Sequence, residues 1–310
     1  MHELVRRFGK GLTATFIGLT AFWLLALVVL PNLIMFHSSF RPYLPVEEWG
    51  GPRDVYTIAN YATFLSTPYE ICFTFPTDFC MSPPIHVWVF VKTVFFSAMV
   101  TMIALFLAYP AAYYMAKIAS SRSAPTLFML LLIPMLVSEI LRSFAWRIIL
   151  DYQGALNGIL KGLGLTTSGI RYIVSYNGVI IGLVYAYILF MLLPIYGSIQ
   201  SLDSNQIEAG QDLGASTWRI HRRIVIPHAK PGIASGCVMV FMLSAGSILV
   251  PTSMASNSSP WFTQIVQQFM FDGNDWNTGS AYAFLLLVLC TGFVTVMMKI
   301  FRVGLADIAK

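Results

Sequence analysis

Six long apolar runs alternate with short polar or turn-forming stretches along this chain, at 11–36, 87–117, 125–150, 177–202, 229–252 and 278–301. About 20 apolar residues in a helix cross the ~30 Å hydrocarbon layer of a bilayer, so each run predicts one transmembrane helix. The first run follows the basic residues Arg6, Arg7 and Lys10. It exceeds the ~7–15 residues of a signal-peptide apolar region, and no small-residue cleavage site follows it, so it reads as a retained span. The expected fold is all-α, a polytopic membrane protein whose residues 1–310 form a single transmembrane domain.

Of the intervening stretches, 37–86 is the longest, and its prolines argue against regular structure there. Residues 151–176 are rich in glycine and predict short interfacial helices. Residues 253–277 place Trp261 and Trp276 where an aromatic interfacial belt is expected, with a short amphipathic helix over 262–271. Residues 203–227 are the most polar interruption, and they read as a compact helix-turn-helix. Asn205 and Glu208 have capping-box spacing, Gly214 suits the left-handed residue that ends a helix, and Ser216 can cap a second helix carrying Trp218, Ile220 and Ile224. Pro227 and Pro231 are expected to stop that helix. The knob is acidic in its first half and basic in its second, through Arg219, Arg222 and Arg223.

Composition agrees with the pattern: 57% of residues are hydrophobic and 11% charged, against about 25% charged in soluble domains. The net charge of +5 does not point to nucleic acid, because the basic residues lie between apolar runs and not on one soluble face. With the N-terminus inside, the cytoplasmic stretches hold most of the basic residues and the outer ones most of the acids, so both termini and 203–227 are expected in the cytoplasm. Residues 37–86 are then periplasmic, an oxidising setting in which Cys72 and Cys80 predict a disulfide. No phosphate-binding loop, no H-E-x-x-H and no glycine-framed nucleophilic serine occurs. The sequence therefore predicts a non-catalytic chain with no metal and no cofactor of its own.

Glu208, Ala209, Gly214, Ile224 and Pro227 fall at the spacing E-A-A-x3-G-x9-I-x-L-P, with Gly210 in place of the second alanine and Ile226 in place of leucine. This spacing resembles the cytoplasmic loop of permease subunits in binding-protein-dependent ABC importers. Arg142, Ala145 and Trp146, then Gly154, Asn157 and the 162–165 run, are similar to the spermidine/putrescine-type permease group, as are Asn274, Trp276, Gly279 and Ala281. The resemblance implies coupling helices between spans four and five that contact ATPase subunits through Glu208, Ala209, Gly214, Trp218, Arg222 and Pro227. It also implies a complex of two ATPase subunits holding ATP and magnesium, a second permease, homologous or identical, and a periplasmic solute-binding protein. The location implied is a bacterial inner membrane, and the function is import of a small polar solute by alternating access.

Charged residues within membrane segments usually face a cavity and mark a pathway. Glu139, Arg142, Trp146 and Ser247 are therefore candidates for the solute pathway. Two readings stand for the charged pair: Glu139 attracts a cation while Arg142 gates it, or the two pair at i, i+3 spacing with Arg142 resting on Trp146. Ser247 follows Gly246 where the polyamine-type pattern has an acid, so the solute class stays open between polyamine-like cation and zwitterion or anion. A self-sufficient secondary transporter is the competing class. It would show inverted repeats and mid-membrane charge pairs, and no repeat is visible here.

Overall fold

The computed structural model describes residues 2–304 apart from 49, 67–70, 74–78, 82, 83, 121, 174, 255–259 and 303. The side chains of 2–5, 7, 8, 46, 71–73 and 79–81 also lie outside the description. Five helices are long and apolar enough to cross a membrane: span 1 (Gly9–Ser39), span 2 (Ile85–Ile118), span 4 (Tyr176–Gln200), span 5 (Thr217–Ala245) and span 6 (Trp276–Phe301). The remaining candidate is a bent pair, Ser123–Leu136 followed by Glu139–Gly162, with a 91° turn between the two halves.

That turn breaks the single helix expected over 125–150 into two. The chain leaves the helix at Val137 and Ser138, whose ψ values of 134° and 139° are extended. Ser138 holds the N-cap position, where serine is favoured, and Glu139 follows in the first turn, where the positive end of the helix dipole favours a carboxylate. An apolar count registers neither effect. Single π-helical turns interrupt the α geometry at Leu25–Val29, Tyr114–Ile118, His221–Val225 and Gln268–Asp272.

Contacts divide the chain into two compact units, Met1–Pro84 with Val266–Leu285, and Ile85–Ile265 with Leu286–Lys310. In the second, span 4 is the hub, with 67% of its most apolar window buried. Spans 2, 4 and 5 pack on one another. Span 2 offers Val100, Ala104, Ala108 and Ala112, a fully buried stripe at i, i+4 spacing, and small residues of this kind let membrane helices approach closely. Span 5 answers with Gly232 and Gly236. A methyl group on Gly236 would stand 2.8 Å from Met191 Sδ, and one on Gly232 would collide with the Pro194 carbonyl and the Ser198 hydroxyl.

Trp261 is not part of an interfacial belt. It is fully buried, and its Nε1 donates to the Ser244 carbonyl at 3.1 Å, which satisfies the indole N–H away from water. Trp276 is exposed.

In the first unit, the stretch after span 1 is more regular than its prolines suggest. It holds the helix Ala59–Ser66 and an antiparallel hairpin, Ile71–Phe73 with Phe79–Met81. Asn60 Nδ2 donates to the Ser39 and Arg41 carbonyls at 2.8 Å each, and Arg41 pairs with Asp54 at 2.8 Å. Side-chain bonds thus supply the order that backbone ladders cannot form around proline. The hairpin register sets Cys72 opposite Cys80; their side chains lie outside the described residues.

Candidate functional site

The polar knob is built on two helices that meet closely. Ser204–Asp212 is capped by Asp203, whose Oδ1 accepts from the Asn205 N–H at 3.0 Å. The expected capping box is replaced, because Asn205 already stands inside the helix. Gly214 adopts φ +72°, the left-handed turn expected of it, and its N–H donates to the Gln211 carbonyl at 2.8 Å. A β-carbon at Gly210, where the motif has alanine, would sit 3.2 Å from Ile224 Cδ1, so this glycine brings the two helices together. Glu208 and Ala209 point outward with Leu213, while Ile207 is buried beneath them.

The second helix of the knob does not stop at its prolines. From Thr217 it runs through the π turn into span 5 as one 29-residue helix. Pro227 follows directly on the π turn, where the regular i→i−4 ladder is already interrupted, and Pro231 lies inside the membrane helix, where neighbours accommodate the freed carbonyl. Trp218 is 72% exposed and shares a concave patch with Ser216, Arg219, Arg222 and Arg223. Span 2 fastens the knob from behind. The Tyr109 hydroxyl and His221 Nδ1 are 2.7 Å apart, the Tyr113 ring lies 4.4 Å from the imidazole, and Lys117 Nζ donates to the Leu202 carbonyl.

At its far end span 5 stops at Gly246, and a separate short helix, Leu249–Met254, follows. This break meets the break in the third span. Glu139, Tyr187, Gly246, Ser247, Ile248 and Leu249 line a cavity of about 240 Å³ there, together with Met242 and Leu243. Glu139 Oε1 accepts from the Tyr187 hydroxyl at 2.8 Å. Ser247 lines the cavity at 6% exposure, and its Oγ stands beside the Tyr187 hydroxyl without a well-formed hydrogen bond. Two helix breaks meeting around a polar cavity is a recurrent way to build a solute site in a membrane protein, because irregular backbone is tolerated only where it lines such a space.

The structure thus brings Glu139 and Ser247 together and adds Tyr187, which is not among the pathway candidates drawn from the sequence. It does not pair Glu139 with Arg142: among the described residues no carboxylate lies within salt-bridge distance of the Arg142 guanidinium, and its Nε is buried without a partner. Nor does Arg142 rest on Trp146, whose ring packs on Tyr185 at 5.1 Å. Arg147 is engaged elsewhere, donating to the Ser253 carbonyl at 2.8 Å.

A family model described as "binding-protein-dependent transport system inner membrane component" matches residues 2–303. The chain belongs to this family. Among its fellow permeases, the spermidine/putrescine transport system permease protein PotB of Salmonella typhimurium (strain SL1344) is 31% identical over 267 residues, 86% of either chain. PotB of Escherichia coli (strain K12) is 30% identical over 267 residues, 86% of this permease and 90% of that one. The fold is like that of a chain in a crystal structure of a bacterial alginate ABC transporter in complex with alginate pentasaccharide-bound periplasmic protein. The TM-score is 0.69 at 15% identity, covering 97% of this permease and 98% of that chain. This chain is therefore an inner-membrane ABC importer permease subunit.

Proposed function

We propose that this permease carries a small polar solute, polyamine-like or zwitterionic, from periplasm to cytoplasm by alternating access driven by ATP. Hydrolysis takes place on two separate ATPase subunits that hold ATP and magnesium and dock on Glu208, Ala209, Gly214, Trp218, Arg222 and Pro227. A second permease, homologous or identical, completes the pathway, and a periplasmic binding protein delivers the solute. Both termini lie in the cytoplasm. The spermidine/putrescine names of the PotB relatives support a small polar solute.

The observation that carries this reading is the continuity of span 5. One helix joins the exposed Trp218 to the cavity edge at Gly246, 28 residues on, or about 42 Å at ~1.5 Å per residue. A push on the knob is delivered at the cavity without an intervening loop to absorb it. Glu208 supplies the exposed polar contact, Gly214 the turn, and Tyr187, Glu139 and Ser247 the polar groups that solute meets.

Reconstituted complexes test this by solute-stimulated ATP hydrolysis. With the complex still assembled, Glu208→Ala is expected to lose most of the stimulation. Gly214→Asp should lose it as well, through left-handed strain of roughly 1–2 kcal/mol and an added charge at the turn. Unchanged stimulation in both variants, or ion-gradient-driven uptake by this chain alone, would overturn the proposal.

A further inference from the structure

The two helices of the knob carry opposite charges that neither pair with one another nor suit the helix ends at which they stand. Glu208 and Asp212 are exposed on Ser204–Asp212, and Arg219, Arg222 and Arg223 are exposed on the helix that begins at Thr217. Only the turn around Gly214 separates the two sets, yet among the described residues no carboxylate lies within salt-bridge distance of any of these arginines. Asp212 closes the first helix, whose C-terminal end carries partial negative charge, and Arg219 stands in the first turn of the second, whose N-terminal end carries partial positive charge. Exchanging the signs would suit both helices better. Local rules broken without a compensating contact inside the chain are expected where a function is served. The guanidinium groups also share one hollow of about 390 Å³ with Ser216 and Trp218 and with no acidic residue. Exposed tryptophan beside arginine is the side-chain chemistry that dominates protein interfaces.

Resting on the import function proposed above, we propose that this hollow receives carboxylate side chains of the ATPase subunit, so that the socket around the knob is acidic where the arginines seat and the knob enters it in one orientation only. The signs decide between the two surfaces that a cytoplasmic arginine cluster can meet. Anionic headgroups of the inner leaflet attract arginine, but they would also lie against the exposed carboxylates Glu208 and Asp212 on the neighbouring helix, which repel them. A folded protein can place acidic groups against one half of the knob and leave them out against the other. Guanidinium groups bind carboxylates through paired, parallel N–H donors, so a cluster of them in one hollow fixes direction as well as contact. Turned end for end, the knob would bring Glu208 and Asp212 against the acidic wall, and like charges facing one another across an interface suppress that pose.

The test uses the assembled complex of permease and ATPase subunits in lipid nanodiscs. Arg222→Lys and Arg223→Lys keep the charge and supply an amine, which a zero-length carbodiimide joins to a carboxylate only in direct contact. Each variant is expected to give a permease–ATPase product that the unsubstituted chain does not, and fragment masses should place the new bond on an aspartate or glutamate of the ATPase. Reversing both charges, with Arg222→Glu and Arg223→Glu together, should weaken retention of the ATPase on immobilised permease about tenfold or more, whereas the lysine variants retain it. Both positions are exposed, where substitutions disturb folding little, and the lysine variants keep the test open should the reversals do so. An assembled, solute-stimulated complex that forms no such bond, or one whose ATPase stays bound after both reversals, would overturn this inference alone. So would co-purified phosphatidylglycerol that falls with the reversals while the ATPase remains. Unsubstituted permease that retains no ATPase at all would sink the import reading beneath it.

Discussion

Gly232 shows how much one missing side chain can matter. Its neighbours across the helix interface are the Pro194 carbonyl and the Ser198 side chain, and the carbonyl cannot turn away because Pro194 sits inside span 4. Gly232→Val is therefore expected to force spans 4 and 5 apart at a cost of about 1–3 kcal/mol, read as a lower melting temperature in detergent. Gly158, inside the helix Ala155–Gly162 with open space around it, is the control, and Gly158→Ala should not lower the transition but raise it slightly through helix propensity. Cys72 and Cys80 give a second residue-scale expectation. Cys72 faces Cys80 across the hairpin register, whereas Cys237 and Cys290 are free thiols. Alkylation of the denatured protein followed by mass measurement should find two of the four thiols protected until a reductant is added; four reactive thiols without reductant would exclude the bridge.

At the scale of the element, the rod proposed for span 5 requires it to stay helical from Thr217 to Ala245. Inserting two glycines between Pro227 and His228 costs about 1 kcal/mol of helix propensity per glycine and introduces a flexible joint. Basal ATP hydrolysis by the complex is expected to persist while solute stimulation falls to the basal level; retained stimulation would mean that the knob signals by another route. By residue type alone, Pro227 and Pro231 end the knob. The residues themselves were legible, but their effect was set by the preceding π turn and by a bundle that tolerates a lost donor. The break at Val137 and Ser138 was hidden for the opposite reason, since it falls inside an apolar run that a hydropathy count treats as uniform. A serine followed by glutamate shortly after Pro134 was the available signal. Gly214, by contrast, was legible because only one physical property, a positive φ, decides its role. Tyr187 was not, because its hydroxyl gains meaning only from Glu139, 48 residues away.

For the whole molecule, the alternation of apolar and polar stretches carried most of the architecture, since lipid imposes helices of a fixed length. Which helices form the hub was not legible: spans 1 and 4 are similarly apolar, yet the most apolar window is 0% buried in span 1 and 67% buried in span 4. Apolarity reports exclusion from water and does not distinguish lipid from protein as the neighbour. Orientation rests on basic residues, and reporter fusions check it. A fluorescent protein fused after Lys310 should be bright and alkaline phosphatase fused after Gly51 active; the reverse pattern would place both termini outside. The π turn at His221–Val225 carries a consequence of another kind. A π turn is an α turn with one residue too many, so deleting a single residue there would restore regular winding. Composition, hydropathy and span length would hardly change. A π turn winds more slowly per residue, and over the turn the difference takes up about the 100° by which one residue advances an α-helix, so the deletion would leave Trp218 on nearly its present bearing relative to Gly246. The extra residue is thus a local bulge, absorbed within the turn and unfelt by the helix on either side of it.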